Sequence, residues 1–219
     1  MAKALRPAAI FDVDRTLVGP PSMERIFIAY LLRKGYLKPG DIMRFLGHLA
    51  RNLGELNRET VHNNKYHLKD KDSRQLRRWA RRCFDHAIAP RISPAGRRAV
   101  EGHRARGHLV VLLTGSLEPL AEMLRQELGA DLSMAAPLGE AAGMLDGTLA
   151  APRPYGREKA RLVRELALRH PIDLANSYAY GDHHSDEHVL SMVGNPVAVN
   201  PTPGLRRAAT HRGWPIKRF

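Results

Sequence analysis

The chain has a single cysteine, Cys83, among 219 residues. That excludes an internal disulfide framework and a metal site built from cysteines. No motif around Cys83 marks it as a nucleophile, so it reads as a part-buried helix residue. Long apolar runs are also missing. None approaches the roughly 18 to 20 residues that a membrane span needs, and the opening MAKALRPAAIFD leads straight into a core strand without a cleavable signal pattern. A cytoplasmic location with no membrane insertion is expected. Aromatic residues make up 6% of the chain, and the 22 acids are outnumbered by 35 Lys and Arg, giving a formal net charge of +13. Such a surplus invites a nucleic-acid reading. Yet the basic residues are scattered along helical segments such as 74–82 and 204–213, with few interleaved aromatics. There is no helix-turn-helix, RNA-recognition or zinc-finger signature. No nucleic-acid partner is expected, and the positive charge instead favours small anionic ligands by steering.

What is present is 43% hydrophobic content with mixed charge, the composition of a globular protein long enough for one full core carrying a smaller insertion. The run PAAIFDVDRTL (7–17) is apolar until it stops at two carboxylates, Asp12 and Asp14. It reads as a buried strand of a parallel sheet, with both acids where the strand leaves the core. After the breaker cluster VGPP, Ser22 is the expected N-cap of a helix reaching Gly35. Further helical patterns lie at about 40–52, 57–69 and 72–88, with no strand from Pro20 to Ala89. A helical block that long is more than a crossover and reads as an insertion over the carboxyl edge of the sheet. From Ile92 onward helices and strands alternate: a helix at 93–106, strand 108–114, helix 117–128, a short strand at ADLSMAA, helix 156–169, strand 177–182, a short helix at 185–193, strand 196–200 and a helix at 203–212. Asp146-Gly147 within MLDGTLA (144–150) reads as a hairpin turn.

Four clusters carry chemistry. Asp12 and Asp14 are close enough to require a cation or a shared proton, and a hard divalent ion such as Mg²⁺ suits them. An Asp can attack phosphorus to give an aspartyl-phosphate while a second acid protonates the leaving oxygen. Thr114-Gly115-Ser116 ends a strand with a hydroxyl and a free N–H, a small anion cradle, or else a helix start capped by Ser116. Lys159 opens a helix and can neutralise charge on a phosphoryl group, with Arg157 as the competing cation. Gly181-Asp182-His183-His184-Ser185-Asp186 follows the apolar SYAY and repeats the logic of the first stretch. Two strand ends thus converge acids on one spot. Its adjacent histidines also raise a zinc reading, which is the lesser one because they tend to point apart on a turn.

These four pieces, in this order, resemble the haloacid dehalogenase (HAD) superfamily of phosphatases. DVDRT resembles its DxDxT nucleophile motif, Thr114 its second motif, Lys159 its third and GDHHSD its acidic GDxxxD form. The helical insertion is similar to the cap of the subgroup, HAD-IB, that includes phosphoserine phosphatase. The resemblance implies an α/β fold: a Rossmann-like parallel-sheet core with helices on both faces (1–18 and 90–219) and an inserted α-helical cap domain (19–89) that selects the substrate. It implies that Asp12 attacks phosphorus and ligates Mg²⁺, and that Asp14 is general acid then base, with its backbone carbonyl on the metal. Thr114, Gly115 and Lys159 would bind the phosphate, Asp182 would ligate Mg²⁺, and Asp186 would support that shell.

Two residues depart from the pattern. Arg15 replaces a usually small or neutral residue, and His183 a usually small one. Both are candidate substrate contacts, with a salt bridge to the cap as the alternative for Arg15. The acidic residue that phosphoserine phosphatases place soon after the first motif has no counterpart at that spacing, since Glu24 lies later, which speaks against phosphoserine. Arg25, Lys65, Tyr66 and His67 are further candidates for substrate selection in the helical segment. The expected function is Mg²⁺-dependent hydrolysis of a small phosphorylated metabolite through an aspartyl-phosphate. The alternatives are transfer of the same phosphoryl group to an acceptor alcohol, or a basic non-catalytic binding protein on this scaffold.

Overall fold

A computed structural model describes residues 5–51 and 63–219. Its centre is a six-stranded parallel sheet in the order β3-β2-β1-β6-β7-β8. The strands are β1 (Ala8–Phe11), β2 (Leu109–Leu117), β3 (Leu132–Ala136), β6 (Tyr178–Gly181), β7 (Asn195–Val199) and β8 (Ile216–Lys217). The chain winds outward from β1 through β2 to β3, then returns to the other side of β1 for β6, β7 and β8. That reversal between β1 and β6 is the topological switch point, where open α/β sheets form a ligand crevice beyond the strand ends.

The apolar run of β1 is continuous because both faces of the sheet are covered. Ala8 and Ile10 join a core with Val111, Val163 and Leu205 on one side, while Ala9 and Phe11 join a core with Val110, Leu112 and Leu124 on the other. The second core continues without a break into the helical segment, through Phe27, Leu31, Leu76 and Phe84. That segment contains α1 (Met23–Arg33), α2 (Pro39–Arg51), a 3₁₀ turn (Tyr66–Leu68) and α3 (Ser73–Cys83). It enters and leaves the sheet region through two chain segments lying side by side, with Val18 bridged antiparallel to Ile92 and Ser93 N–H donating to the Leu17 carbonyl at 2.8 Å. Around the sheet lie α4 (Pro94–Ala105), α5 (Glu118–Leu128), α6 (Arg157–Arg169), α7 (Glu187–Leu190) and α8 (Pro203–Arg212). Among the described residues no helix is long and apolar enough to cross a membrane.

Several local expectations change. The hairpin of β4 (Leu138–Ala141) and β5 (Met144–Leu149) turns at Ala142-Gly143, both with positive φ, and not at Asp146-Gly147. Gly147 lies inside β5 for another reason. A Cβ there would stand 3.1 Å from Tyr66 Cα, so the glycine admits the close approach of the 3₁₀ turn, whose Lys65 N–H donates to the Gly147 carbonyl. β2 runs on through Thr114 to Leu117, so Ser116 is a strand residue and Leu117 occupies the N-cap position of α5. The helix expected at 57–69 lies partly outside the described residues, and its described end is the 3₁₀ turn. The pattern at 72–88 stops being α-helical at Cys83 and continues as a wider π turn over Phe84–Ile88. The tail contributes β8, which pairs with β7. Cys83 is fully buried, and burial pushes its thiol up to about 11, which makes it an unreactive core residue.

Candidate active site

The ends of β1 and β6 bring the two acidic stretches together, as two neighbouring strands that stop at the same edge must. Asp12 N–H donates to the Tyr180 carbonyl at 2.9 Å, so the register of β1 on β6 fixes Asp12 beside Asp182. Oxygens of Asp12, Asp182 and Asp186 lie within 4.8 Å of one another, and all three residues are buried. Among the described residues no histidine joins this cluster, which removes the basis of the zinc reading.

Lys159, in the first turn of α6, is the cation that answers these acids. Its Nζ donates to Asp12 Oδ1 at 2.6 Å and to Asp186 Oδ1 at 2.7 Å. Burial pulls the Lys159 pKa down, but the two carboxylates outweigh it and hold the ammonium above its ordinary range. One lysine does not balance three buried carboxylates. Burial pushes Asp12 well above the usual carboxylate range despite Lys159, and Asp186 and Asp182 add to the rise. Burial, then Asp186, raises Asp182 to about 6. Asp12 Oδ2 is buried without a hydrogen-bond partner. An excess of buried negative charge with an orphaned carboxylate oxygen fits a hard divalent cation, whose ligands are oxygens.

Asp14 lines the same cleft but is not part of that three-carboxylate group. Its Oδ1 accepts the Met23 N–H at 2.7 Å, capping α1, and its Oδ2 accepts the Ser116 hydroxyl at 2.7 Å. Ser22 occupies the N-cap position of α1 but its side chain makes no capping bond, and Asp14 reaches the first helical N–H from outside the helix. Ser116 is a site residue that sequence reasoning treated only as a cap, since its reach to Asp14 depends on the extension of β2. Thr114 is fully buried, and its hydroxyl oxygen accepts the Ser116 N–H at 3.0 Å.

The acids form the floor of an open cleft of about 650 Å³ that also contains Gly115, Arg25, Arg153, Tyr155 and His183. Arg153 was not singled out from the sequence. Its Nε donates to the Gly115 carbonyl at 2.7 Å, and a Cβ on Gly115 would stand 2.7 Å from that same nitrogen, so the glycine makes its seat. Arg15, expected to meet substrate or the helical segment, lines the cleft and donates from Nε to Asp182 Oδ2 at 2.9 Å, from a backbone with φ 68°. His183 lines the cleft with its Nδ1 occupied by Ser185 at 2.9 Å, and burial lowers its pKa. Asp186 Oδ2 accepts the His183 N–H at 3.2 Å, so Asp186 braces the acidic turn as well as joining the cluster.

Of the candidates in the helical segment, only Arg25 lines this cleft. Lys65 is buried and donates to Glu24 Oε1 at 2.5 Å, Tyr66 stacks on His48, and His67 packs edge-on against Phe45.

The model of the haloacid dehalogenase-like hydrolases matches residues 9–191. The phosphoserine phosphatase SerB1 of Mycobacterium tuberculosis is 31% identical over 98% of this chain and 71% of its own length. A histidinol-phosphatase of Neisseria meningitidis is 26% identical over 98% of this chain and 100% of its own. Among solved structures, a Bordetella pertussis protein of unknown function superposes with a TM-score of 0.84 at 26% identity, covering 98% of this chain and 99% of that one.

Proposed function

Because the chain belongs to the haloacid dehalogenase-like hydrolase family, we propose that it is a Mg²⁺-dependent phosphomonoesterase that hydrolyses a small phosphorylated metabolite through an aspartyl-phosphate on Asp12. The observation that carries this reading is the asymmetry of Asp12: Oδ1 is held by Lys159 at 2.6 Å, and Oδ2 is buried with no partner. One oxygen is positioned and the other is free to act. The names of the relatives support phosphate-ester hydrolysis, and they differ in substrate.

In this mechanism an Asp12 oxygen forms a bond to phosphorus as the bond from phosphorus to the leaving oxygen breaks, and that oxygen takes the proton of Asp14. Water then attacks the aspartyl-phosphate, passes a proton to Asp14, and releases inorganic phosphate and free Asp12. Met23 N–H and the Ser116 hydroxyl orient Asp14 for both transfers. Lys159 offsets the repulsion between the Asp12 carboxylate and the phosphate dianion. Thr114, whose oxygen accepts the Ser116 N–H, keeps its own O–H to donate to a phosphoryl oxygen, next to the Gly115 N–H. Asp12 and Asp182 would hold Mg²⁺ with the Asp14 carbonyl, and Asp186 would support or complete that set. The ion, when bound, supplies positive charge against the phosphoryl oxygens. The helical segment 19–89 is assigned as the cap that selects substrate, with α1 tied to the chemistry through Asp14.

The test is release of inorganic phosphate from p-nitrophenyl phosphate with and without Mg²⁺. Asp12→Asn is expected to abolish turnover while melting like the wild type, and persistence of turnover in that variant would refute Asp12 as the nucleophile.

A further inference from the structure

The floor and the rim of the cleft carry opposite charge. Asp12, Asp14, Asp182 and Asp186 form the floor, and each is engaged there by Lys159, Arg15, or the Met23 N–H and Ser116 hydroxyl. Above them, the ionisable lining residues among those described are Arg15, Arg25, Arg153, Tyr155 and His183, without an acid. Arg15 is committed to Asp182. His183 has its Nδ1 engaged by the Ser185 hydroxyl at 2.9 Å. That leaves two guanidinium groups facing the cavity, and neither Arg25 nor Arg153 is in a salt bridge among the described residues.

Arg153 is placed for this work. Its Nε is spent on the Gly115 carbonyl, which fixes the plane of the guanidinium and leaves its two terminal nitrogens without a hydrogen-bond partner among the described residues, while the group lies 5.9 Å from the Tyr155 ring centre. A guanidinium with Nε anchored and both Nη groups open is a fork for a carboxylate or phosphate. Arg25 approaches from α1, the helix that Asp14 caps. Glu24, the acid next to it in sequence, is turned to the buried Lys65 and is not part of the cleft lining. An ammonium on the leaving group would therefore meet two arginines and no described acid at the rim.

We propose that Arg25 and Arg153 form an anion subsite for the leaving group, so that the preferred substrates are phosphomonoesters carrying a second anionic group, and esters whose leaving group carries only an amine are disfavoured. This rests on the phosphatase reading above and goes further by assigning the charge of the part of the substrate that is not transferred.

Four small esters separate the charges: phosphoglycolate has a carboxylate, phosphoethanolamine an amine, phosphoserine both, and glycerol phosphate neither. Binding to the Asp12→Asn protein with Mg²⁺, measured by calorimetry, tests the subsite independently of turnover. Phosphoglycolate is expected to bind about tenfold or more tighter than glycerol phosphate, and phosphoethanolamine weakest, as suits charge-assisted pairs in a partly enclosed site. Adding Arg25→Met or Arg153→Met should lower the affinity for phosphoglycolate and leave that for glycerol phosphate nearly unchanged, with thermal melts confirming the fold. Equal affinities across the series, tighter binding of the amine, or indifference to both substitutions would overturn the subsite. Hydrolysis of p-nitrophenyl phosphate by the wild type, which depends on Asp12 and not on leaving-group charge, reports on the phosphatase reading alone.

Discussion

Arg15 Nε lies 2.9 Å from Asp182 Oδ2, a guanidinium resting on one of the carboxylates that would hold the metal. A cation arriving at Asp182 must share or displace that contact. The Arg15 side chain is 56% exposed, so the pair is screened and contributes at most about 1 kcal/mol. Arg15→Gln is therefore expected to tighten Mg²⁺ binding by a modest factor, about two- to fivefold, in calorimetric titrations at low salt. Weaker binding in the variant would mean that Arg15 instead orients Asp182 for the ion.

Lys159 presents a stronger case because it is buried with both partners. Lys159→Met leaves Asp12 and Asp186 without their counter-charge, a loss on the order of 3–5 kcal/mol. For a chain of this size that corresponds to a melting temperature lower by about 10 °C in the presence of a chelator. Mg²⁺ should recover part of the loss, since it supplies charge to the same carboxylates. Melting curves with and without the ion check this, and an equal drop in both would argue against a cation at Asp12 and Asp186.

The parts of the site that were legible from sequence are those written in continuous runs. A strand buried on both faces appears as unbroken apolar sequence, so the ends of AAIF and YAYG marked where Asp12 and Asp182 emerge. Lys159 could not be placed by spacing, because 147 residues separate it from Asp12, and its order along the chain carried it. Ser116 was misread because extension of β2 depends on a late pairing of Leu117 with Ala136 after an irregularity, a tertiary event without a local signature. The Asp-Gly signal at 146–147 was overridden in the same way, since that glycine answers the approach of Tyr66 and not a turn. Arg153 lies in a stretch without regular pattern, and its position follows from contacts with Gly115 and Tyr155 that have no local signal in the sequence.

Acid stability depends on a buried polar group outside the site. His103 is 1% exposed, its Nε2 lies 2.8 Å from the Tyr180 hydroxyl, and burial, then Arg106, lowers its pKa from 6.5 to about 4. Between those values the unfolded chain binds a proton that the folded protein refuses. The stabilisation is therefore complete above pH 6.5 and is lost as pH falls toward about 4. His103→Leu is expected to reduce the slope of stability against pH in that window by up to about 1.4 kcal/mol per pH unit. Urea unfolding across the window measures it. Comparing variant with wild type isolates His103 from Asp182, whose raised pKa acts in the opposite direction.

Gly115→Ala separates the seat of Arg153 from the integrity of the fold. The added methyl would stand 2.7–2.8 Å from the Arg153 guanidinium, the movable end of a long side chain, so the guanidinium and not the backbone gives way. The Gly115 N–H is retained. Melting should change little, while the preference for phosphoglycolate over glycerol phosphate should fall toward that of Arg153→Met. In the Gly115→Ala background, Arg153→Met should then add little further loss, because the first change has already removed what the second deletes. Additive losses in that double-mutant cycle would show that Gly115 and Arg153 contribute separately, and the cradle at Gly115 would then act on the phosphoryl group without Arg153.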